Sequence, residues 1–306
     1  MPRPRTPRRV QLGEFLAARR RQRDRVGLGL PAAAGRGRAG AARSQGLSRE
    51  EMATLSGMSV SWYTWLEQGR DINASRQVID AVARVLALTD AEREYVRSLV
   101  ETGDVAGDVP DRATPAHLQR LIDALDHPAF IVGTDWAILG WNHHYEWLYG
   151  PIASTPKPER NLLWLIYTDP RLRALLPDWE RDSRRFLAEF RAESGVRLDS
   201  DRHRALISRL HAHSADFRGQ WAEHAVERFA SRQRAFVHPD AGPVIFEHHR
   251  LVPSDATELH VVIYVPIPAH TPADADGAVW FPVPQIGSAG SPGAPDPPRR
   301  DVGGAR

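Results

Sequence analysis

The sequence predicts two domains in series: an all-α unit, then an α+β unit with a five-stranded antiparallel sheet and helices grouped on one side. Three observations carry this. Leu47 to Arg70 is punctuated like two short helices around a tight turn. Residues 161 to about 228 carry apolar residues at helical spacing, with Phe186/Phe190 and Leu206/Leu210 at i, i+4. Two short apolar runs precede that block and three follow it, each of strand length and composition. A length of 306 residues suits two domains.

Taken in order, residues 1–9 are rich in Pro and Arg and are expected to be a disordered basic tail. Leu12, Phe15 and Leu16 mark a first helix. Gly27 to Gly46 holds glycines, a proline and Arg36, Arg38 and Arg43, so it reads as a basic loop, either DNA-touching or solvated. Ser48 and Glu51 then form a Ser-x-x-Glu capping box, Ala53 permits a close helix approach, and Gly57 suits a turn with positive φ. Ser59 caps the next helix. Along it Tyr63 and Leu66 face the core with Met58, leaving Val60, Ser61, Trp62, Thr64 and Trp65 outward. That is the pattern of a helix-turn-helix with its recognition helix; a plain helical hairpin is the bland alternative. Ser75 to Leu88 and the segment opened by a Thr89/Glu92 capping box give two more helices. The first domain is thus expected at 10–101, with 27–46 as its inserted loop.

Residues 102–114 are acidic with Gly and Pro and read as a linker. A second domain is expected at 115–268. It opens with a helix, HLQRLIDALDH, followed by two strands around a Gly-Thr-Asp turn in AFIVGTDWAILGWN. After the helical block come SRQRAFV, PVIFEHHRL and ELHVVIYVPI. LHVVIYV is apolar almost throughout, which predicts a central strand buried on both faces. Residues 269–306 are dominated by Pro, Gly, Ala and Asp and read as a disordered tail.

The formal charge of +2 hides an asymmetry. Met1 to Leu88 has 16 Arg against 7 acidic residues, a balance of +9, so the remainder carries −7. A basic front and an acidic back point to a polyanion met by the first domain alone. Arg49, at the start of one helix, and Arg70 and Asn73, after the recognition helix, are the expected phosphate contacts. Val60, Ser61, Trp62, Thr64 and Trp65 are the candidate base-reading positions, and the capping Ser59 belongs to the same expected DNA-binding set. Few of these are the usual Arg, Asn or Gln, so methyl contacts and DNA shape gain weight.

Catalytic and metal chemistry find little support. The chain has no cysteine. It has no P-loop, GxGxxG or Gly-x-Ser-x-Gly motif, and its histidine pairs lack zinc-site spacing. No cofactor, metal or enzymatic activity is expected. No run is long enough to span a membrane and the basic start is followed by an amphipathic helix, so a cytoplasmic protein is expected.

The helix-turn-helix, with LGEFLAARRR before it and SRQVIDAVARVLAL after it, resembles Cro/repressor-type domains. With WNHHYEWLYG, NLLWLIYTDP, LLPDWE and DFRGQWAEHAV, the chain resembles bacterial regulators of the MmyB-like group over residues 10 to 268. The resemblance implies a repressor-like five-helix domain joined to a PAS-like ligand-binding domain. It also implies a transcription regulator, a homodimer on double-stranded DNA, and a small hydrophobic or fatty-acid-like ligand. Trp141, Trp164, Phe217 and Trp221 are then candidate walls of an apolar pocket, with Asn142, Arg218 and His224 as polar anchors. Plain core packing is the alternative for each aromatic. A second half that only dimerises or recruits a partner remains the alternative for the function.

Overall fold

The computed structural model describes residues 5–31, 46–72, 74–100 and 114–267. Among the described residues the first domain has five α-helices: α1 (Pro7–Gln22), α2 (Arg49–Ser56), α3 (Val60–Glu67), α4 (Arg76–Val85) and α5 (Asp90–Val100). Their core gathers Leu12, Phe15 and Leu16 with Met52, Ala53, Tyr63, Leu66, Val82 and Tyr95. The expected helix starts are realised by their caps. Ser48 and Glu51 close a reciprocal capping box, and the side chains of Ser59 and Ser75 accept from Trp62 N and Val78 N.

One boundary differs from the sequence reading. Residues 7–9, placed in a disordered tail, are the first turn of α1. Thr6 caps it, Pro7 sits where its missing N–H costs nothing, and Arg8 and Arg9 pair with Asp199 and Asp71. At the entry to the basic loop, residues 26–28 form a 3₁₀ turn. Arg36, Arg38 and Arg43 lie outside the described residues, as do Asn73, most of the 102–114 linker and the 269–306 tail.

α1 crosses α3 at Gly13. A Cβ there would fall on the backbone carbonyl of Glu67, beside the Gly69 amide, and backbone cannot swing aside. Gly13→Ala is therefore expected to destabilise the first domain by about 1–3 kcal/mol, the usual cost of overpacking. A melting curve of the variant that overlays the parent's would show that the helices have room to separate.

The second domain opens with α6 (Ala116–Asp123), then β1 (Ala129–Gly133), β2 (Ile138–Trp141) and α7 (His143–Tyr149). The helical block comprises α8 (Leu162–Thr168), α9 (Pro170–Leu175), α10 (Trp179–Ser194), α11 (Asp201–His213) and α12 (Ala215–Ala222). Strands β3 (Arg232–His238), β4 (Gly242–Leu251) and β5 (Leu259–Pro266) finish it. The sheet is antiparallel throughout, in the order β2-β1-β5-β4-β3. The last strand thus inserts beside the first, and β5 is central as its composition predicts. Helices α7 to α12 build the large core on one face, around Phe130, Phe190, Phe217, Phe236, Phe246 and Tyr264. The exception is α6, whose Leu118 and Ile122 cover Ala129, Ile131, Leu259 and Val261 on the opposite face. That cover explains why β5 is apolar on both sides.

The two domains meet over α5, which packs on α10 and the 3₁₀ turn Gly195–Arg197. Leu198 and Val226 of the second domain join the core of the first. Arg8–Asp199, at 2.7 Å, and Arg228–Glu94 are ion pairs across the same junction.

Candidate nucleic-acid interface and sensing core

The recognition helix is set by a short chain of local causes. Gly57 takes φ 69° after α2, its amide bonding back to Ala53 and Thr54 carbonyls, which turns the chain into Ser59. The Ser59 hydroxyl holds Trp62 N at 3.2 Å. α3 then buries Tyr63 and Leu66 and leaves Ser59, Val60, Ser61 and Trp65 exposed. Thr64 is half-buried; Trp62 is too, and packs against the domain core. Arg70 is exposed and its guanidinium lies 5.7 Å from the Trp65 ring centroid, so cation and indole form one surface unit.

Arg49 is more constrained than a free phosphate contact. Its Nε donates to Glu67 at 2.5 Å while the rest of the side chain stays 44% exposed. Glu67 is the hub that sequence reading missed. Its side chain is 1% exposed and accepts from Arg20 Nε at 2.5 Å and Tyr63 Oη at 3.2 Å. Burial pushes this carboxyl up, but hydrogen bonds from Arg20 and Arg49 outweigh it and hold it below the usual carboxylate value. The available signal was spacing: Glu67 lies four residues after Tyr63, on the inward stripe of α3.

In the second domain the aromatic candidates separate into two places. Trp164, Phe217 and Trp221 are buried in the large core. Phe217 and Trp221 stack at 5.4 Å, Tyr167 meets Phe217 edge-on, and His211 touches both Phe217 and Trp221. Trp141 lies at the sheet edge, half-buried, its indole N–H donating to Glu146 at 3.1 Å.

The polar anchors fare less well. Asn142 is 2% exposed and its amide is fully used. Its Oδ1 accepts from Ala129 N and Tyr145 N, and its Nδ2 donates to the carbonyls of Ile122 and His127. It therefore ties α6, β1 and α7 together and has no group left for a ligand. Arg218 is exposed and donates to the His211 carbonyl, away from the core. His224 does lie near the set, at the domain junction, with φ 53° and a buried Nδ1 that has no partner.

Arg191 is the second residue that sequence reading missed. It is fully buried, its guanidinium 4.3 Å from the Trp221 ring centroid, and it donates to the carbonyls of Ala225 and Trp221 at 2.8 and 2.7 Å. Its charge is felt by Tyr95 of α5 and Glu14 of α1. Arg19 of α1 donates to the His224 carbonyl at 2.8 Å and pairs with Glu92 of α5. One buried cation thus sits beside the stacked aromatics, with its charge felt on helices α1 and α5 of the first domain.

Burial and the neighbouring charges of Arg191, Arg19 and Arg21 push the His224 imidazole down to about 4. Burial, with Arg234, Arg250 and Arg232 nearby, likewise holds His248 well below its usual value. In the unfolded chain both titrate near 6.5. Below that pH the unfolded chain binds protons that the folded chain refuses. Stability is thus complete above about pH 7 and falls as the pH drops from 6.5 toward 4, by up to about 1.4 kcal/mol per pH unit for each histidine. Melting temperatures across pH 5–8 should show this decline, and His224→Gln should flatten it. An unchanged slope would place His224 outside the linkage.

Residues 114–276, more than half of the chain, match the family of MmyB-like transcription regulator ligand binding domains. Residues 11–96 match a helix-turn-helix domain. No curated protein matches the chain. Among the described residues, no helix is long and apolar enough to cross a membrane.

Proposed function

The chain belongs to the MmyB-like transcription regulators, a DNA-binding domain followed by a ligand-binding domain, and we propose that its ligand is small, hydrophobic or amphipathic and acts through the buried aromatic set. The DNA-reading unit spans 7–101 and the sensing unit 115–268. The protein works in the cytoplasm as a homodimer, by binding and not by catalysis.

The observation that carries this reading is the position of Arg191. It stacks on Trp221, within the proposed ligand-facing set, and its charge is felt by Glu14 of α1, which packs on the recognition helix, and by Tyr95 of α5. A ligand that displaces Trp221 must also move or strip this cation, which gives it different affinities for two domain arrangements. Only such a difference can shift the DNA-bound population. Two copies on adjacent half-sites would double the effect.

On DNA, Arg70 positions and the exposed face of α3 reads. Arg70→Ala is expected to weaken binding to all sequences alike and to lower the salt slope by about one phosphate contact. Thr64→Ala is expected to alter the preferred site instead. Selection of binding sites from random duplexes with each variant checks this. Parallel losses on every sequence for Thr64→Ala would remove it from base reading.

A further inference from the structure

The second domain carries a groove that the aromatic core does not use. It runs between the edge strand β2 and helix α11, with a volume of about 500 Å³, within the range of small-molecule sites. Leu139 and Trp141 form one wall and Leu206 the other. Four cations line it, Lys157, Arg160, Arg202 and Arg209, against the single carboxylate of Asp135.

That imbalance is unusual for this chain. Elsewhere its arginines commonly face carboxylates, as in Arg20–Glu67, Arg171–Asp169, Arg173–Asp216 and Arg184–Glu223. In the groove they do not. Asp135 is spent on its own turn, where its side chain accepts from Ala137 N at 3.2 Å. Arg160 donates only to the backbone carbonyls of Thr155 and Ala153, and its guanidinium lies 5.5 Å from the Trp141 ring centroid. Arg209 donates to the Pro158 carbonyl and lies over Trp164 at 4.1 Å. Lys157, the only lysine of the chain, and Arg202 have no side-chain hydrogen bond or ion pair among the described residues. Carbonyls and rings orient these cations without neutralising them. Four like charges around one concavity repel each other, and a bound anion relieves that repulsion.

We propose that this groove binds a small planar organic anion, which packs its ring against Trp141 while Lys157, Arg202 and Arg209 hold its carboxylate or phosphate. The Trp141 indole is fixed for this by its hydrogen bond to Glu146. The ring and the two anchored guanidinium planes favour a flat partner, and forked guanidinium donors match both acid groups. This deepens the ligand-binding reading of the domain and rests on it. The site is nevertheless separate from the Trp221 set, so either can fail alone.

The test uses the full-length protein and calorimetric titration with benzoate, adenosine 5′-monophosphate, inorganic phosphate and, as the neutral control, benzamide. Saturable one-to-one binding of either aromatic anion is expected, with phosphate weaker and benzamide silent. Benzoate and the nucleotide separate the carboxylate from the phosphate version. The double variant Lys157→Ala/Arg202→Ala should weaken binding at least tenfold, and Trp141→Leu should weaken the aromatic anions more than inorganic phosphate. Circular dichroism checks that both variants fold. No saturable anion binding, or equal affinity for benzamide, would overturn the proposal. So would a double variant that loses DNA affinity while the parent binds none of the probes, since the groove would then be a DNA-backbone contact. If the probes fail while native mass spectrometry still finds a co-purified hydrophobic molecule, the groove is refuted and the ligand-sensing function stands.

Discussion

Glu67→Ala is expected to destabilise the DNA-binding domain by about 3–5 kcal/mol, as when one partner is removed from a buried ion pair. Among the described residues the carboxylate is the only anion with which Arg20 and Arg49 pair, and the Tyr63 hydroxyl also donates to it. Without it Arg20 is left buried beside the Leu47 carbonyl. In a domain of this size such a loss lowers the melting temperature by more than about 10 °C. DNA binding should fall with it, because Glu67 ties α1 and the start of α2 to the end of the recognition helix. Arg49→Ala should cost much less, since its side chain is 44% exposed. Combining Glu67→Met with Arg20→Met should recover part of the stability, because the lone charge is then gone. A Glu67→Ala variant within about 1 kcal/mol of the parent would show that the three helices do not depend on this hub.

Arg191→Leu is expected to cost less stability but to change the behaviour of the whole molecule. The half-buried Ala225 carbonyl loses its guanidinium donor and the Trp221 carbonyl keeps His224 N, at a cost of about 1–3 kcal/mol in all. The leucine returns part of this as apolar contact with Trp221. Trp221 is then no longer connected to α1 and α5 by a charge, so ligand occupancy should cease to affect DNA affinity. Both domains keep their own cores, so circular dichroism should be near that of the parent, while proteolysis in the linker should accelerate. A variant that still answers the ligand like the parent would remove Arg191 from the coupling route.

The parts of the fold legible in the sequence were those set by local rules. Capping boxes, Gly57 and the inward Tyr63 and Leu66 placed α2 and α3 correctly because each feature acts within a few residues. The continuous apolar run of β5 announced a strand covered on both faces, although not that α6 provides the second cover. What was not legible depended on distant partners. Arg8 and Arg9 read as a basic tail until Asp199 and Asp71 came into contact with them. Asn142 read as a ligand anchor because nothing local reveals four backbone partners on three elements. Glu67, Arg191 and Arg234 are charged side chains whose burial is created by tertiary packing, and composition alone assigns such residues to the surface. The aromatic set was read as the walls of one pocket, and its division between the Trp221 stack and the Trp141 groove arises from topology: β2 is an edge strand, while α12 packs on α10 and α11.

The central claim is that ligand occupancy of the second domain changes how the first binds DNA. The direct measurement is a titration of one selected duplex with the same full-length preparation as purified, after removal of bound small molecules, and after their return. Native mass spectrometry verifies the occupancy of each sample. A coupling of about 1–3 kcal/mol corresponds to a 5–150-fold change in DNA dissociation constant, reversed when the extracted molecules are added back. The same dissociation constant in all three samples, with occupancy confirmed to differ, would contradict the account and leave the second domain as a passive partner of the first.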